Sequence, residues 1–248
     1  MIINKLAKTN LFILFFLLGF SISISAETVA LIGTGSVSSA LGPKIANLGH
    51  KVIYGSRNPQ SDSVKLLVEK TGPNSSATSQ NLAAQDAQIV IIAVPWNVAE
   101  EVVRNLGDLS GKIIIDPINP RIISDDGFAD YPSNMSISEK IQNLAPEAKV
   151  VKAFNTLGAD TMANPDLVKY PITIPVVGND RSAKLTVMAL IKALGFDSVD
   201  LGPIRFAHIV EGFYLLRANA RLYGQYFEWY LFPATTREQY SGPDNVKF

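Results

Sequence analysis

A glycine-bearing turn between two apolar segments is the first place where residue types and spacing could do chemistry. The strand-like run Thr28–Ile32 leads into Gly33 and Gly35, and Ser36–Leu48 then carries apolar residues at helical spacing. In such a strand–turn–helix unit, the first glycine permits the tight turn. The second glycine lets an anionic group approach the backbone N–H groups at the helix N-terminus. The spacing therefore predicts a site for the pyrophosphate of a dinucleotide.

Two positions depart from the usual NAD-binding pattern. Ser38 stands where a third glycine is common, and it is small enough to leave the phosphate site usable. After the next strand, Lys51–Tyr54, an NAD site has an acidic residue that binds the ribose 2′-hydroxyl. Here Ser56 and Arg57 occupy that turn. Because a hydroxyl and a guanidinium suit a 2′-phosphate, we expect NADP rather than NAD.

Three later apolar runs also end in polar or aromatic residues. They are Gln88–Val94 before Pro95 and Trp96, Lys112–Ile115 before Asp116 and Asn119, and Lys149–Ala153 before Asn155 and Thr156. Carboxyl ends of parallel strands meet at one edge of a sheet, so these residues should line one crevice. Trp96 could flank a cofactor or serve as a core or lid aromatic. Asn155 and Thr156 could bind a carboxamide or substrate carbonyl, or could cap the following turn.

The order of the elements predicts an α/β fold, a doubly wound Rossmann domain with a mainly parallel sheet and a small C-terminal helical part. The predicted units are the Rossmann domain (27–201), a helical segment (202–234) and a polar tail (235–248). Pro175 predicts that the strand Ile172–Val177 lies at a sheet edge. Lys152 lies within an apolar strand, where it needs either a solvent-facing edge or a charged partner.

The C-terminal helix is expected to run from Arg205 to about Trp229. Apolar residues recur along it at heptad-like spacing, at Ile209, Phe213, Leu216, Ala220, Tyr223 and Phe227. This stripe is expected to be mostly core, and it would also suit a dimer contact or an aromatic pocket over a flat ring. Arg121–Pro132 shows no periodicity, and we expect a loop that either covers a site or is a surface excursion.

Composition excludes several kinds of chemistry. The formal net charge is +0 and no Lys/Arg cluster is present, which argues against nucleic acid and favours a small-molecule substrate. The chain has no Cys and only two His. Thiol nucleophiles, disulfides, iron–sulfur clusters and most zinc sites are therefore excluded.

The first 26 residues have the layout of a secretory signal peptide. Lys5 and Lys8 precede the apolar run Leu11–Leu18, and small and polar residues follow as far as Ala26. The run is shorter than the roughly 20 residues that span a bilayer, so we expect cleavage after Ala26 and a periplasmic or secreted protein. In that case no membrane contact remains after cleavage. An uncleaved N-terminal membrane anchor is the alternative.

Six motifs in the same order together resemble the deazaflavin-dependent NADP oxidoreductase family. They are IGTGSV (32–37), YGSRNP (54–59), AVPW (93–96), DPINP (116–120), VKAFNT (151–156) and LGP (201–203). The chain is similar to the NADPH:coenzyme F-420 reductases and to the cytosolic domain of the six-transmembrane metalloreductases. The similarity extends from about Thr28 to Tyr223.

The resemblance implies a Rossmann domain, usually in a homodimer, that moves hydride between NADPH and a deazaflavin (coenzyme F-420) or a flavin such as FAD or FMN. It implies that pyrophosphate is held by Thr34, Gly35, Ser36 and Val37, and the 2′-phosphate by Ser56 and Arg57. It places Val94 and Pro95 near the cofactor, and Ala153 and Asn155 near the nicotinamide. Direct transfer between two rings requires orientation rather than an acid or base. No catalytic side chain is therefore expected.

The sequence is compatible with two functions. The first is an NADPH-dependent oxidoreductase acting on a deazaflavin, a flavin or a small acceptor reduced through a flavin. The second is an exported Rossmann-fold nucleotide-binding or scaffold protein without turnover, which the signal peptide and Ser38 motivate. Oxidation of NADPH by a flavin-type acceptor separates the two.

Overall fold

The computed structural model of the protein describes residues 26–168, 172–225 and 230–231. The predicted signal peptide, apart from Ala26, and the predicted tail lie outside the described residues, as does part of the predicted segment 202–234. Within the described ranges, no helix combines the length and the apolar character that a membrane crossing needs.

Ten strands are present in the described residues. In chain order they are β1 (Thr28–Ile32), β2 (Lys51–Gly55), β3 (Ser75–Thr78), β4 (Ile89–Ile92), β5 (Ile113–Asp116), β6 (Ile122–Ile123), β7 (Ala129–Asp130), β8 (Lys149–Lys152), β9 (Thr173–Gly178) and β10 (Asp197–Asp200). Eight of them form one sheet in the order β3-β2-β1-β4-β5-β8-β9-β10. The first six in this order run parallel. Strand β9 is antiparallel to β8, and β10 is parallel to β9.

Helices connect these strands on both faces of the sheet. The described α-helices are α1 (Ser36–Asn47), α2 (Asp62–Thr71), α3 (Gln80–Asp86), α4 (Trp96–Arg104), α5 (Ile137–Leu144), α6 (Ala159–Ala163), α7 (Arg181–Ala193) and α8 (Ala207–Leu222). The six parallel strands have the order of a doubly wound dinucleotide-binding sheet, so the predicted fold class is confirmed. The sequence-based prediction contained no helix at α3 or α4.

The sheet buries apolar side chains on both faces, as a parallel sheet covered by helices must. Along β1, Val29 and Leu31 belong to a core shared with Leu41 and Ile45 of α1, whereas the alternate residues belong to the opposite core. This alternation follows from the two-residue period of a strand. Packed apolar side chains therefore cover both faces of the sheet beneath the strand ends that form the site.

The position of Pro175 corrects one prediction. Strand β9 is internal, because β10 pairs with it on one side and β8 on the other. The β8 ladder reaches only Val177 and Gly178, so the missing N–H of Pro175 interrupts no bond to β8. A proline is therefore tolerated in a strand that is not at the edge.

The stripe on α8 corrects a second prediction. Ile209, Leu216 and Tyr223 are each more than half exposed, and Phe213 and Ala220 are only half-buried, so the described part of this stripe is not core. Its last member, Phe227, lies outside the described residues. The buried face of α8 is instead formed by Ala207, Val210, Glu211, Leu215 and Ala218.

The segment Arg121–Pro132 contains a short hairpin rather than an unstructured loop. Strands β6 and β7 pair antiparallel within it. The Asn219 side chain of α8 accepts a hydrogen bond from the Ala129 N–H and donates one to the Ala129 carbonyl oxygen at 3.0 Å. The hairpin is therefore fastened to α8, beside the strand ends that border the site.

Candidate functional site

The turn after β1 requires glycine at Gly33. Its φ is +106°, and a Cβ there would lie 2.3 Å from the carbonyl oxygen of Ala93. The Gly33 N–H donates to the carbonyl oxygen of Gly55 at 2.9 Å. A side chain at this position would be strained and would collide with the end of the neighbouring strand. The first glycine of the motif thus has the turn-forming role expected from the sequence.

Gly35 has a different reason to be glycine. Its φ is −84°, which any residue can adopt, and a Cβ there would meet no atom within 4 Å. Gly35 is the N-cap of α1, where no side chain caps the helix and no acidic residue lies in the first turn. The first N–H groups of α1 thus have no partner within their own helix, and a pyrophosphate can satisfy them. The open space at Gly35 fits a bound dinucleotide.

Ser38 supports the turn. Its side chain is fully buried, and its hydroxyl donates to the carbonyl oxygen of Gly33 at 2.7 Å. The close approach of helix and strand that a third glycine usually allows is found four residues later. A Cβ on Gly42 would lie 1.9 Å from the hydroxyl oxygen of Tyr54 on β2. The departure at Ser38 therefore leaves the phosphate site intact.

Ser56 and Arg57 lie at the carboxyl end of β2, as expected. The Ser56 side chain is buried, and its Oγ accepts a hydrogen bond from the Asn58 N–H at 3.1 Å. Arg57 is exposed at the rim of a cavity of about 720 Å³ that the glycine turn also lines. Of the described residues that line this cavity, only Glu101 is acidic, and it lies on α4 rather than at the end of β2.

A second cavity, of about 540 Å³, lies at the ends of β4 and β5. Ala93, Val94, Pro95 and Asn97 line both cavities. We call the two together the nucleotide crevice. It crosses the carboxyl ends of β1 and β4, the point where the strand order reverses and where doubly wound sheets bind ligands.

The crevice brings together nine of the eleven residues predicted for the site. They are Gly33, Thr34, Gly35, Ser36, Val37, Ser56, Arg57, Val94 and Pro95. Ala153 is fully buried, and neither Ala153 nor Asn155 is among the described residues that line the crevice.

Asn155 does not line the crevice itself but is hydrogen-bonded to Asn119, which does. Its Nδ2 donates to Asn119 Oδ1 at 3.0 Å and to the carbonyl oxygen of Val210 at 3.1 Å. In return, Asn119 Nδ2 donates to the Asn155 carbonyl oxygen at 2.7 Å. Phe154, the residue before Asn155, has a φ of +66°, so the chain turns sharply there at a cost of about 1–3 kcal/mol. This arrangement orients Asn119, which does line the crevice.

Lys152 is the centre of a buried ionic network beneath the crevice. Its ammonium nitrogen lies 3.0 Å from Asp116 Oδ2 and 2.7 Å from Glu211 Oε1, and all three side chains are inaccessible to solvent or nearly so. It also donates to the Ile118 carbonyl oxygen. Asp116 in turn accepts from the Ile118 N–H at 2.8 Å and from the Ser138 hydroxyl at 2.6 Å. The network thus joins β8, the loop after β5, α5 and α8.

Glu211 has the raised pKa in this network. Burial raises its pKa to about 7, although the charge of Lys152 acts in the opposite direction and that of Asp116 adds to the rise. Its Oε1 also accepts from the Ile137 N–H at 3.1 Å, whereas Oε2 is buried without a hydrogen-bond partner among the described residues. Burial, together with the charge of Glu211, also raises the pKa of Tyr131.

Two parts of the crevice were not predicted from the sequence. Helix α4 begins at Trp96 directly after Pro95, so a second helix N-terminus and the side chain of Asn97 face the ligand space. The apolar spacing of Ala99 and Val103 was the available signal for this helix. The second is Tyr214 of α8, which lines the crevice and two neighbouring cavities. No sequence pattern distinguishes it from the other aromatics of that helix.

Histidine has no place in the crevice. His208 stacks on Tyr131 with the ring centroids 4.0 Å apart, and Tyr131 donates to the His208 carbonyl oxygen. Within the described part of the chain, no group of three His, Asp or Glu side chains could hold a metal ion.

Comparison with known proteins agrees with this geometry. The model of the family described as NADP oxidoreductase, coenzyme F420-dependent, matches residues 28–120. A candidate F420-dependent NADP reductase from Arthrobacter sp. FB24 has a crystal structure that is 31% identical in sequence. That structure matches 80% of this chain and 94% of its own, with a TM-score of 0.72.

Two curated relatives differ in how much of their length is matched. The F420-dependent NADP reductase of Methanocaldococcus jannaschii is 26% identical over 193 residues, which are 72% of this chain and 85% of the relative. Rat metalloreductase STEAP3 is 28% identical over 187 residues, which are 75% of this chain but only 36% of the metalloreductase. Taken with the crevice, these likenesses show that the chain belongs to the family of F420-dependent NADP oxidoreductases.

Proposed function

We propose that the protein transfers hydride between NADP(H) and a flavin-type ring, either a deazaflavin, a flavin or a flavin that passes electrons to a small acceptor. One observation carries this proposal. A single crevice extends from Ser56 and Arg57, across the glycine turn, to a second cavity of about 540 Å³ at the ends of β4 and β5. The second cavity has space for another flat ring beside the nicotinamide.

The lining of this second cavity supports direct transfer. Of its described residues, Trp96, Pro117, Ile118 and Tyr214 offer flat or apolar surfaces, and none is a Lys, His, Asp or Glu. NADPH supplies the hydride from its nicotinamide when it is bound. The protein holds the two rings at reacting distance and excludes water, which can lower the barrier without an acid or base.

Different residues bind different parts of the nucleotide. The α1 N-terminus and Gly35 are positioned to hold the pyrophosphate, and Ser56 and Arg57 the 2′-phosphate. Asn97 and Asn119 offer amide groups at the nicotinamide end of the crevice. The network at Lys152 fixes the loop that carries Asn119, so it positions the site without touching substrate.

The test uses the protein expressed from the full sequence and purified from the cell fraction in which it accumulates. Nucleotide binding is followed by NADPH fluorescence, and turnover by anaerobic NADPH oxidation with coenzyme F-420, FMN, FAD or riboflavin. We expect micromolar NADPH affinity and steady oxidation with at least one of these rings. Binding without oxidation would support the alternative of a nucleotide-binding protein without turnover, and absence of binding at millimolar NADPH or NADH would contradict both.

We also propose that the protein is exported. The support is the order of segments in the first 26 residues: two lysines, then an apolar run, then small and polar residues. Expression of the full chain in a bacterial host, followed by fractionation and mass analysis, should give a periplasmic protein that begins at Glu27. An intact N-terminus in the membrane fraction would instead support the anchored alternative.

A second copy of the chain is the proposed partner of the exposed stripe on α8. Ile209, Leu216 and Tyr223 follow one another at seven-residue spacing, the spacing that lines one side of a paired helix. Light scattering should give twice the monomer mass, and Leu216→Glu should shift it to the monomer. A monomer mass for the unaltered chain would contradict this proposal.

A further inference from the structure

We propose that Glu211 is an electrostatic switch for the nucleotide crevice: when its carboxylate is ionised, the protein favours NADP⁺ over NADPH. Glu211 is not among the described residues that line the crevice, so it acts through its charge and touches neither form of the nucleotide. This inference rests on the proposed function, because it concerns the oxidised and reduced forms of the nucleotide proposed for the crevice.

The network at Lys152 holds an unbalanced charge. The single ammonium of Lys152 faces two carboxylates, those of Asp116 and Glu211, and none of the three residues is more than 1% exposed. With both carboxylates ionised, the network carries one net negative charge. Salt and water screen a buried charge much less than a surface charge, so its field extends into the neighbouring crevice.

Glu211 is the member of the network with an oxygen available for a proton. The hydrogen bonds to its carboxylate, from Lys152 Nζ at 2.7 Å and from the Ile137 N–H at 3.1 Å, both reach Oε1. Its Oε2 is buried without a hydrogen-bond partner among the described residues. Asp116 differs, because both of its oxygens accept hydrogen bonds. A proton can therefore bind Glu211 Oε2 while both bonds to Oε1 are kept.

The network reaches the crevice through the loop after β5. The Ile118 N–H donates to Asp116 Oδ1 at 2.8 Å, and the Ile118 carbonyl oxygen accepts from the Lys152 ammonium. Ile118 and the next residue, Asn119, line the second cavity. The charged groups are thus hydrogen-bonded directly to a residue that borders the space proposed for the nicotinamide and the acceptor ring.

The two forms of the nucleotide differ in charge at the ring that would occupy this space. When hydride leaves NADPH, the C4–H bond breaks, its electron pair moves with the hydrogen to the acceptor ring, and the nicotinamide keeps one positive charge. The phosphates are the same in both forms. An ionised Glu211 gives the network a net negative charge that attracts the nicotinamide cation, whereas a protonated Glu211 leaves the network neutral.

Glu211 changes its protonation near neutral pH. Its pKa is about 7, because burial and the charge of Asp116 favour the protonated form more than the charge of Lys152 opposes it. From the hairpin, Tyr131 faces the same region, and its pKa is raised above the usual range. His208, three residues before Glu211 on α8, stacks on Tyr131 and therefore needs a control.

The experiment measures the dissociation constants of NADP⁺ and NADPH by titration calorimetry at about pH 6 and about pH 8.5, without an acceptor. The readout is the NADPH constant divided by the NADP⁺ constant. The 2′-phosphate titrates near about pH 6 but is present in both nucleotides, so its effect cancels in this ratio. The ratio should rise at least about fivefold from the lower to the higher pH. Near neutral pH, NADP⁺ binding should also release more protons than NADPH binding, which calorimetry in two buffers detects.

Two isosteric variants assign the effect to one residue. Glu211→Gln removes the ionisable group, so its ratio should stay at the low-pH value of the unaltered protein at both pH values. His208→Gln is the matched control on the same helix and should keep the full pH dependence. A ratio that does not change with pH in the unaltered protein would overturn the switch, whether or not the variants fold. A pH dependence that Glu211→Gln retains, or that His208→Gln removes, would also overturn it.

The outcomes separate the switch from the proposed function. Absence of binding by both nucleotides would overturn both. Binding with a ratio that is independent of pH would overturn the switch while the nucleotide site stood. A pH-dependent ratio that Glu211→Gln abolishes would support the switch, even if no flavin-type ring oxidised NADPH and the proposed hydride transfer failed.

Discussion

The ammonium nitrogen of Lys152 lies 2.7 Å from a carboxylate oxygen of Glu211, and both side chains are completely buried. The pair joins strand β8 to helix α8, two elements that are far apart in the sequence. Asp116, at the end of β5, completes the network. The network therefore links β5 and α8, whose neighbouring residues Ile118 and Tyr214 line the second cavity. The geometry of the crevice therefore depends on three charges that never reach solvent.

Removing the cation from this network should strongly destabilise the fold. Lys152→Met leaves Asp116 and Glu211 without their buried counter-charge, at an expected cost of about 3–5 kcal/mol in the free energy of unfolding. The matched control is Lys149→Met on the same strand. Lys149 is 39% exposed and lies 3.8 Å from Asp180, so its loss should cost less than about 1 kcal/mol. Equal effects in urea unfolding would contradict the assigned role of Lys152.

Glu211 should make stability depend on pH. Its pKa is about 7 in the folded protein, against 4.5 for an ordinary glutamate, so the folded state binds the proton more tightly. Its contribution is fully present below about pH 4.5 and is lost as the pH rises through 7. Between about pH 4.5 and pH 8, the unaltered protein should lose about 3 kcal/mol relative to Glu211→Gln. A stability difference between the two proteins that is the same at both pH values would contradict this prediction.

The two glycines of the turn should respond differently to alanine. Gly35→Ala should fold with stability within about 0.5 kcal/mol of the original, because its φ is ordinary and its Cβ meets nothing. It should still weaken NADPH binding at least about tenfold, because the methyl group occupies the space of the pyrophosphate. Gly33→Ala should instead destabilise the fold by about 1–3 kcal/mol. Unchanged NADPH affinity in Gly35→Ala would show that the nucleotide binds elsewhere.

Arg57 should discriminate between the two nicotinamide nucleotides. Arg57→Gln removes a charged partner of the 2′-phosphate, so the NADPH dissociation constant should rise about 10–100-fold while that of NADH stays the same. The exposed Arg181→Gln provides the control for a general loss of positive charge. A parallel weakening of NADPH and NADH would assign Arg57 to another part of the nucleotide.

Local sequence signals predicted the nucleotide half of the fold well. The glycine turn, the absence of an acid after β2 and the apolar runs each reflect a requirement that acts within one βα unit. Ser136 and Glu139 are a further example, since they form a capping box at the start of α5 and lie only three residues apart in the sequence. Such features need no knowledge of distant contacts.

The part of the fold around Lys152 and α8 depends on contacts between residues that are far apart in the sequence. Lys152 is a strand residue whose partners, Asp116 and Glu211, are separated from it by 36 and 59 positions. On α8, heptad spacing alone could not determine which face is buried. The buried face carries Glu211, whose carboxylate joins the Lys152 network, whereas Ile209 and Leu216 lie on the exposed side. In this orientation of α8, Tyr214 lines the crevice.

Direct hydride transfer is the central claim, and isotope transfer tests it most directly. NADPH carrying deuterium at either face of the nicotinamide C4 position is oxidised with a 5-deazaflavin, whose reduced form holds the transferred hydrogen on carbon. Direct transfer predicts that the deuterium of one face appears in the reduced deazaflavin, which becomes one mass unit heavier. Oxidation of NADPH with loss of deuterium to water, or a deazaflavin that gains no deuterium from either face, would contradict it.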